Sequence, residues 1–397
     1  MSEESPTGLD PQAHPEAPLE RGSAATIAQL PERLPISSVA LVGNEMAYVR
    51  ECLESTWISS CGEFVEAFEE KFAALWEVEH AVAVNTGTAA LHLALLALGV
   101  SPGEEVIVPS LTYVATASAV SYCGATPVFV DSEPGSWNLD PAAVEAAIGP
   151  RTVGIVAVHL YGHPAQIDAL QAIAARRELF LLEDAAQAHG SCYRGRPVGS
   201  LGNAGTFSFF GGKLLTTGEG GMLVTNDASL AKTALQLRNH ARDPERRYHS
   251  SRVGFNYRMT NVAAAIGLGQ LERFDWHVAR RRANAALYRS RLLGHPGLEF
   301  ADPEPWAQSV EWLTSVVLSH AGEAERDRVI NELDGAGIEA RAVFEPVHLQ
   351  EIFADADTGP LPVAERLAAK GLSLPSGALL TNEQIDRVCE ALLRALP

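Results

Sequence analysis

No stretch of this chain is long and apolar enough to span a bilayer: the longest, roughly residues 89–100, contains His92 and falls short of the ~20 residues a helical span needs. Its start, MSEESPTGLDPQAHPEAP, lacks both the basic cluster and the apolar core of a secretory signal, so a cytoplasmic location is expected. Cysteine is scarce. Cys52, Cys61, Cys123, Cys192 and Cys389 form an odd set without a C-x-x-C pair, which argues against a disulfide scaffold or a cysteine-bound zinc. Basic residues are outnumbered, 30 Lys and Arg against 49 Asp and Glu, and a net charge of −19 repels nucleic acid. One region departs from that balance. Arg238, Arg242, Arg246, Arg247, Arg252 and Arg258 lie close together and read either as a small-anion site or as a solvated helix face and loop.

What is present is the composition of a folded protein, 47% apolar and 20% charged. At 397 residues the chain exceeds what one core usually serves, so more than one domain is expected. Residues 1–35 lack apolar periodicity and are expected to be a flexible extension, with folding starting near Leu41. From AVAV to LFLLED, apolar runs alternate with helical patterns such as TAALHLALLALG and IDALQAIAARR, the signature of crossover units and a largely parallel sheet. FSFF and GMLVTND are joined by a Gly- and Thr-rich loop instead of a helix, which predicts a mixed sheet. A long helical pattern from Thr260 to Leu293 then leads into further alternating segments. The expected organisation is an α/β large domain over 36–275, its mostly parallel sheet flanked by helices, and a smaller α+β domain over 276–397.

Three segments carry chemistry. In NTGTAALHLALLALG a strand ends at Val84 and Gly87 and Thr88 open a helix, whose unpaired N–H groups and dipole suit a phosphate. An ordinary turn capped by Thr86 or Thr88 explains the same pattern. In LFLLEDAAQAHG, Asp184 stands at the C-terminal end of a strand, where open α/β sheets bind ligands. An ionised carboxylate there can hold a proton on the pyridine nitrogen of pyridoxal 5′-phosphate (PLP), with Gln187 donating to the ring oxygen and His189 close behind. Capping of a following helix is the competing reading of Asp184. Lys213, in SFFGGKLLTTGEGG, supplies an amine that can form an imine and then carry a proton between substrate carbons. A nucleotide-binding phosphate loop does not fit, because Phe207 stands where its first Gly belongs and Leu214 replaces its hydroxyl. His159 and His163 have a zinc-like spacing, but Gly162 and Pro164 oppose the helix that would align them, so no metal is expected. Tyr113, after the strand Val106–Val108, can stack on a planar cofactor or pack in the core. Asn256, Tyr257 and Arg258 precede a helix and can read phosphate or order a turn.

Taken in order, NTGTAALHLALLALG, EEVIVPSLTYVATA, VHLYGHPAQID, EDAAQAHG, FSFFGGKLLTTGEGGM and GFNYRMTNVAAAIGLGQLE closely resemble the DegT-type sugar aminotransferases, from about Leu34 to the C-terminus. The resemblance implies a fold type I PLP-dependent transferase. It implies Lys213 as the Schiff-base lysine, Asp184 on the pyridine nitrogen, Gln187 on the ring oxygen and Tyr113 on the ring face. Ser208 and the amides of Gly87 and Thr88 would bind phosphate, with Asn256 reaching the same phosphate from the other copy of a homodimer. The implied partners are L-glutamate and a nucleotide-linked keto-sugar, with amination at the 4-keto carbon of a GDP- or dTDP-linked 6-deoxyhexose. Arg258, His348 and His189 are the candidate substrate contacts. The subgroup nearest in pattern carries Asn where Gly212 stands, and Cys61 precedes Gly62 where polar residues vary. A sugar 3-aminotransferase, an inosose aminotransferase, a dehydratase or a non-catalytic regulator are the other outcomes of this scaffold. Lys213 argues against the dehydratase, and Lys213 with Asp184 against the regulator.

Overall fold

The alternation of apolar runs and helical patterns takes shape as a seven-stranded sheet in a computed structural model that describes residues 33–243, 245–246, 248–356 and 358–396. Nearly all of the expected N-terminal extension, and Arg247, lie outside the described residues. The strands, in chain order, begin with β1 (His80–Val84), β2 (Glu105–Pro109), β3 (Thr126–Val130), β4 (Thr152–Val158) and β5 (Phe180–Asp184). They continue with β6 (Cys192–Tyr193), β7 (Arg196–Pro197), β8 (Ala204–Ser208) and β9 (Gly221–Thr225). The large sheet has the order β1-β9-β8-β5-β4-β2-β3. Strands β3, β2, β4, β5 and β8 pair in parallel, and β9 runs antiparallel to both β8 and β1. The sheet is therefore mixed and mostly parallel, as expected.

Both faces are covered, which is why its strands read as near-continuous apolar runs. Along β2, Val106 and Val108 enter one core cluster and Ile107 the other, the period of two that a pleated strand imposes. Helix Gly87–Ala97 fills the first side; helices Glu63–Leu75 and Ile167–Arg177 fill the second. The single helical pattern over 260–293 divides into Asn261–Glu272 and Phe274–Leu292, broken at Arg273, whose φ of −113° and ψ of 18° leave the helical range.

Beyond it come β10 (Leu298–Glu299), β11 (Ala307–Gln308), β12 (Thr314–Leu318), β13 (Arg341–Ala342) and β14 (Gly371–Leu374). Strands β10-β12-β14-β13 form an antiparallel sheet, while β11 joins β6 and β7. Helices Phe274–Leu292, Glu323–Gly335 and Asn382–Ala395 close a third core around that sheet. Among the described residues, no helix is long and apolar enough to cross a membrane.

Core packing involves residues nearer the N-terminus than the sequence suggests. Leu34, Ile36 and Ala40 are buried, and Leu34 belongs to the third core. Its N–H donates to Gly337 O (2.8 Å) and its carbonyl accepts from Glu339 N–H (2.9 Å). A short extended segment pairing through its backbone has no side-chain period to reveal it. Leu34→Ala is expected to cost about 2–5 kcal/mol of stability. Urea unfolding checks this, and an unchanged midpoint would place the start of the fold after this segment.

Candidate active site

Parallel strands bring their C-terminal ends to one edge, and the chemistry-bearing residues gather there. Thr86 caps helix Gly87–Ala97, its side chain accepting from Ala89 N–H at 3.0 Å. The N–H groups of Gly87 and Thr88 thus open a helix beside Ser208, the last residue of β8. The approach is close: a Cβ on Gly87 would lie 2.7 Å from Ser208 Cβ, and one on Gly221 would lie 2.4 Å from Thr86 O. Any side chain at 87 would fill the space between helix and strand where an anion would sit.

Asp184 ends β5 and is 6% exposed. No helix follows it, which removes the capping alternative. Its Oδ2 accepts from Thr116 Oγ1 (2.8 Å) and its Oδ1 from Ala186 N–H (3.2 Å). Burial pushes its pKa up, opposed by the bonds from Thr116 and Ala186 and by the charge of Lys213. A cationic ring nitrogen suits such a carboxylate. Gln187 Oε1 accepts from Tyr161 N–H (2.8 Å), so the side-chain NH₂ remains to donate.

Lys213 is half-buried in the β8–β9 connection, its N–H bonded to Phe210 O at 2.9 Å. Desolvation pulls its ammonium from 10.5 down to about 8, against the opposing charge of Asp184. Its Nζ lies 3.8 Å from the centroid of the Trp312 ring. Trp312 stacks near Tyr161 (6.3 Å, 18°), Tyr161 stacks on Phe344 (5.2 Å, 12°), and Phe344 tilts against Tyr113 at 6.0 Å. Tyr113 is 57% exposed, so its ring is open to a planar partner. Trp312, Tyr161, Phe344 and Thr116 escape sequence reasoning, because aromatic residues in apolar segments look like core. The left-handed backbone of Tyr161 (φ 52°) is an outlier that only the structure shows.

The remaining candidates are placed differently. His189 is enclosed by Trp76, Phe207 and Phe209, and burial, with the charge of Lys213, pulls it down to about 3, so the ring is neutral. His348 Nδ1 lies 2.5 Å from Ser110 Oγ, and its Nε2 lies 3.5 Å from Glu365, so both ring nitrogens have internal partners. Asn256 is exposed, and its Oδ1 accepts from Arg258 Nε (3.1 Å) and Nη2 (2.7 Å). Arg238 pairs with Glu69 and donates to Ala83 O (2.6 Å), a structural use, whereas Arg242, Arg246 and Arg252 are exposed. His159 is held by Glu183 (3.0 Å), and His163 bonds Pro164 O (2.9 Å). No group of metal-ligating side chains occurs among the described residues.

A buried carboxylate, a lysine whose ammonium is weakened by burial and a helix N-terminus share one sheet edge, and these are groups that suit a PLP-dependent enzyme. Comparison with known proteins narrows it. A profile of the DegT/DnrJ/EryC1/StrS aminotransferase family matches residues 40–393. GDP-perosamine synthase of Caulobacter vibrioides is 50% identical over 366 residues, covering 92% of this chain and 98% of that protein. The GDP-perosamine synthase of Escherichia coli O157:H7 is 43% identical over 359 residues, covering 90% and 97%. Among solved structures, S. venezuelae DesV in complex with a ketimine intermediate superposes with a TM-score of 0.85 at 40% identity, covering 92% of this chain and 99% of its own. The chain belongs to the DegT/DnrJ/EryC1/StrS family of PLP-dependent aminotransferases.

Gly87→Ala is expected to weaken PLP binding by roughly ten- to a hundredfold, the equivalent of the ~1–3 kcal/mol typical of overpacking. Fluorescence titration of cofactor into the apoprotein measures it; unchanged affinity would move the phosphate away from this turn.

Proposed function

We propose that the protein transfers the amino group of L-glutamate to the 4-keto carbon of a GDP-linked 6-deoxy keto-sugar. The observation that carries this reading is the convergence of Lys213 and Asp184 at the sheet edge, in a chain half identical to GDP-perosamine synthase along nearly its full length.

Bound PLP supplies an aldehyde that exchanges amines and a ring that withdraws electrons from the carbon losing its proton. The protein supplies the rest. Lys213 would anchor the cofactor covalently and, as a free amine, would hold and move a proton at Nζ. Asp184 keeps the ring nitrogen protonated and Gln187 donates to the ring oxygen. Gly87 and Thr88 N–H groups with Ser208 Oγ would hold the phosphate, and Tyr113 would stack on the ring. Residues 36–275 serve as the cofactor domain and 276–397 as the smaller one.

The site is shared between two copies of the chain in this reading. Asn256, exposed here with its Oδ1 accepting from Arg258, would reach the partner's phosphate. A cavity of about 320 Å³ beside the cradle, lined by Asn85, Thr217, Glu219 and Arg258, offers room for the other copy. Arg258 is the candidate for the sugar diphosphate. His348, tied to Ser110 and Glu365, would orient the sugar side of the site, and neutral His189 would back Lys213. The enzyme works in the cytoplasm.

Lys213→Ala is expected to abolish the visible absorbance of the purified protein and both halves of a ping-pong exchange. A wild-type chain without that absorbance would end the cofactor assignment. In a panel of GDP-, dTDP- and UDP-linked 4-keto sugars, mass spectrometry should detect amination chiefly of the GDP substrate, and preference for another nucleotide overturns that part. Arg258→Glu should raise KM for the sugar at least about tenfold with a smaller change in kcat, as loss of uniform binding predicts.

A further inference from the structure

The two residues before Lys213, both glycine, bring no side chain to hold it. A Cβ at Gly211 or Gly212 would meet no atom within 4 Å, so neither position is packed on that side. Besides the Lys213 N–H bond to Phe210 O, one distant residue makes two contacts that place the amine. Trp312 Nε1 donates to Gly212 O at 2.8 Å, fixing the peptide ahead of the lysine. The same indole presents its face to Lys213 Nζ at 3.8 Å.

Trp312 is itself held by groups outside that loop. Its N–H donates to Tyr161 O (2.9 Å), and its carbonyl accepts from Arg281 Nη1 (2.9 Å). Arg281 is 2% exposed. Tyr161, through its own N–H, also holds Gln187. One rigid aromatic support thus sets the positions of two groups that serve the same cofactor.

We propose that Trp312 is a positioning residue that receives the Lys213 ammonium on its indole face whenever the amine is not covalently engaged, fixing where the proton-carrying nitrogen waits between half reactions. This rests on Lys213 being the covalent anchor of the preceding reading. A ring face favours a cation over a neutral amine, so the indole acts in the same sense as the Asp184 carboxylate on β5 and against the desolvation that frees the amine. The remaining titratable group facing the nitrogen, His189 in the turn after β5, is neutral through burial.

The test is competitive acetylation of Lys213 in the full chain, followed by mass spectrometry across pH. It is run on cofactor-free protein and on protein saturated with pyridoxamine phosphate, where the amine is free in both. Only the unprotonated amine reacts. Trp312→Leu is expected to move the labelling midpoint down by about one pH unit, so that Lys213 labels up to about tenfold faster below the midpoint. Trp312→Phe, which keeps a ring but not the N–H, should shift it the same way by clearly less, and it tests the idea should the Leu variant misfold.

An unchanged midpoint overturns the proposal. So does a shift upward towards the value of an exposed lysine, which would mean that Trp312 merely packs the loop. Equal shifts in the two variants would assign the effect to the Gly212 hydrogen bond and also overturn it. Wild-type protein that labels as expected but gains no visible absorbance with PLP would instead defeat the aminotransferase reading alone.

Discussion

Five strands running the same way are the constraint on which the rest depends. Because β3, β2, β4, β5 and β8 are parallel, their C-terminal ends share one edge, and four of these five strands lead into a residue of the candidate site. Asp184 ends β5, Ser208 ends β8, Tyr161 follows β4, and Tyr113 and Thr116 follow β2. The antiparallel β9 then brings Gly221 back to the same edge, where it touches the turn after β1. A carboxylate buried there is unfavourable unless bonded, and the sheet geometry supplies Thr116 and the Ala186 amide to do so.

Much of this was legible from residues alone. The strand-helix alternation follows from apolar period, and Lys213, Asp184 and Gln187 stand in local motifs whose residue types are set by chemistry. Trp312 was not legible, since its partners lie far away in the chain: Gly212, Tyr161 and Arg281 meet it only after the smaller sheet packs beside the larger. His348 reads as a free imidazole in sequence, yet folding gives both nitrogens partners. Leu34 was missed for the opposite reason, because a segment that pairs by its backbone needs no pattern of side chains.

The run Arg280, Arg281 and Arg282 shows how the two sheets are tied. Arg280 donates to Ala378 O (3.1 Å) and Leu380 O (2.7 Å), and Arg282 to Ser309 O (3.2 Å) and Gly190 O (2.9 Å). Arg281 bonds the carbonyls of Trp312 and Ser376 and the Ser37 hydroxyl, without a carboxylate. Burial accordingly pulls it to about 10. Neutral acceptors take up the terminal nitrogens of Arg281 while its buried Nε has no partner among the described residues, and the helix that bears the three arginines acts as a rivet through segments distant in sequence.

The connection from Ser208 to Gly221 is closed on itself: Phe209 N–H donates to Gly220 O (2.9 Å), Thr217 N–H to Phe209 O (2.9 Å), and Lys213 N–H to Phe210 O. Ser208 and Lys213 therefore sit on one braced arch and behave as the two jaws of a caliper. The gap between them is set by these backbone bonds together with the Trp312 Nε1 bond to Gly212 O. A molecule whose anionic tail and reactive carbon are spaced to match that gap can engage both, whereas an insertion anywhere in the arch would spoil the measurement for every ligand at once.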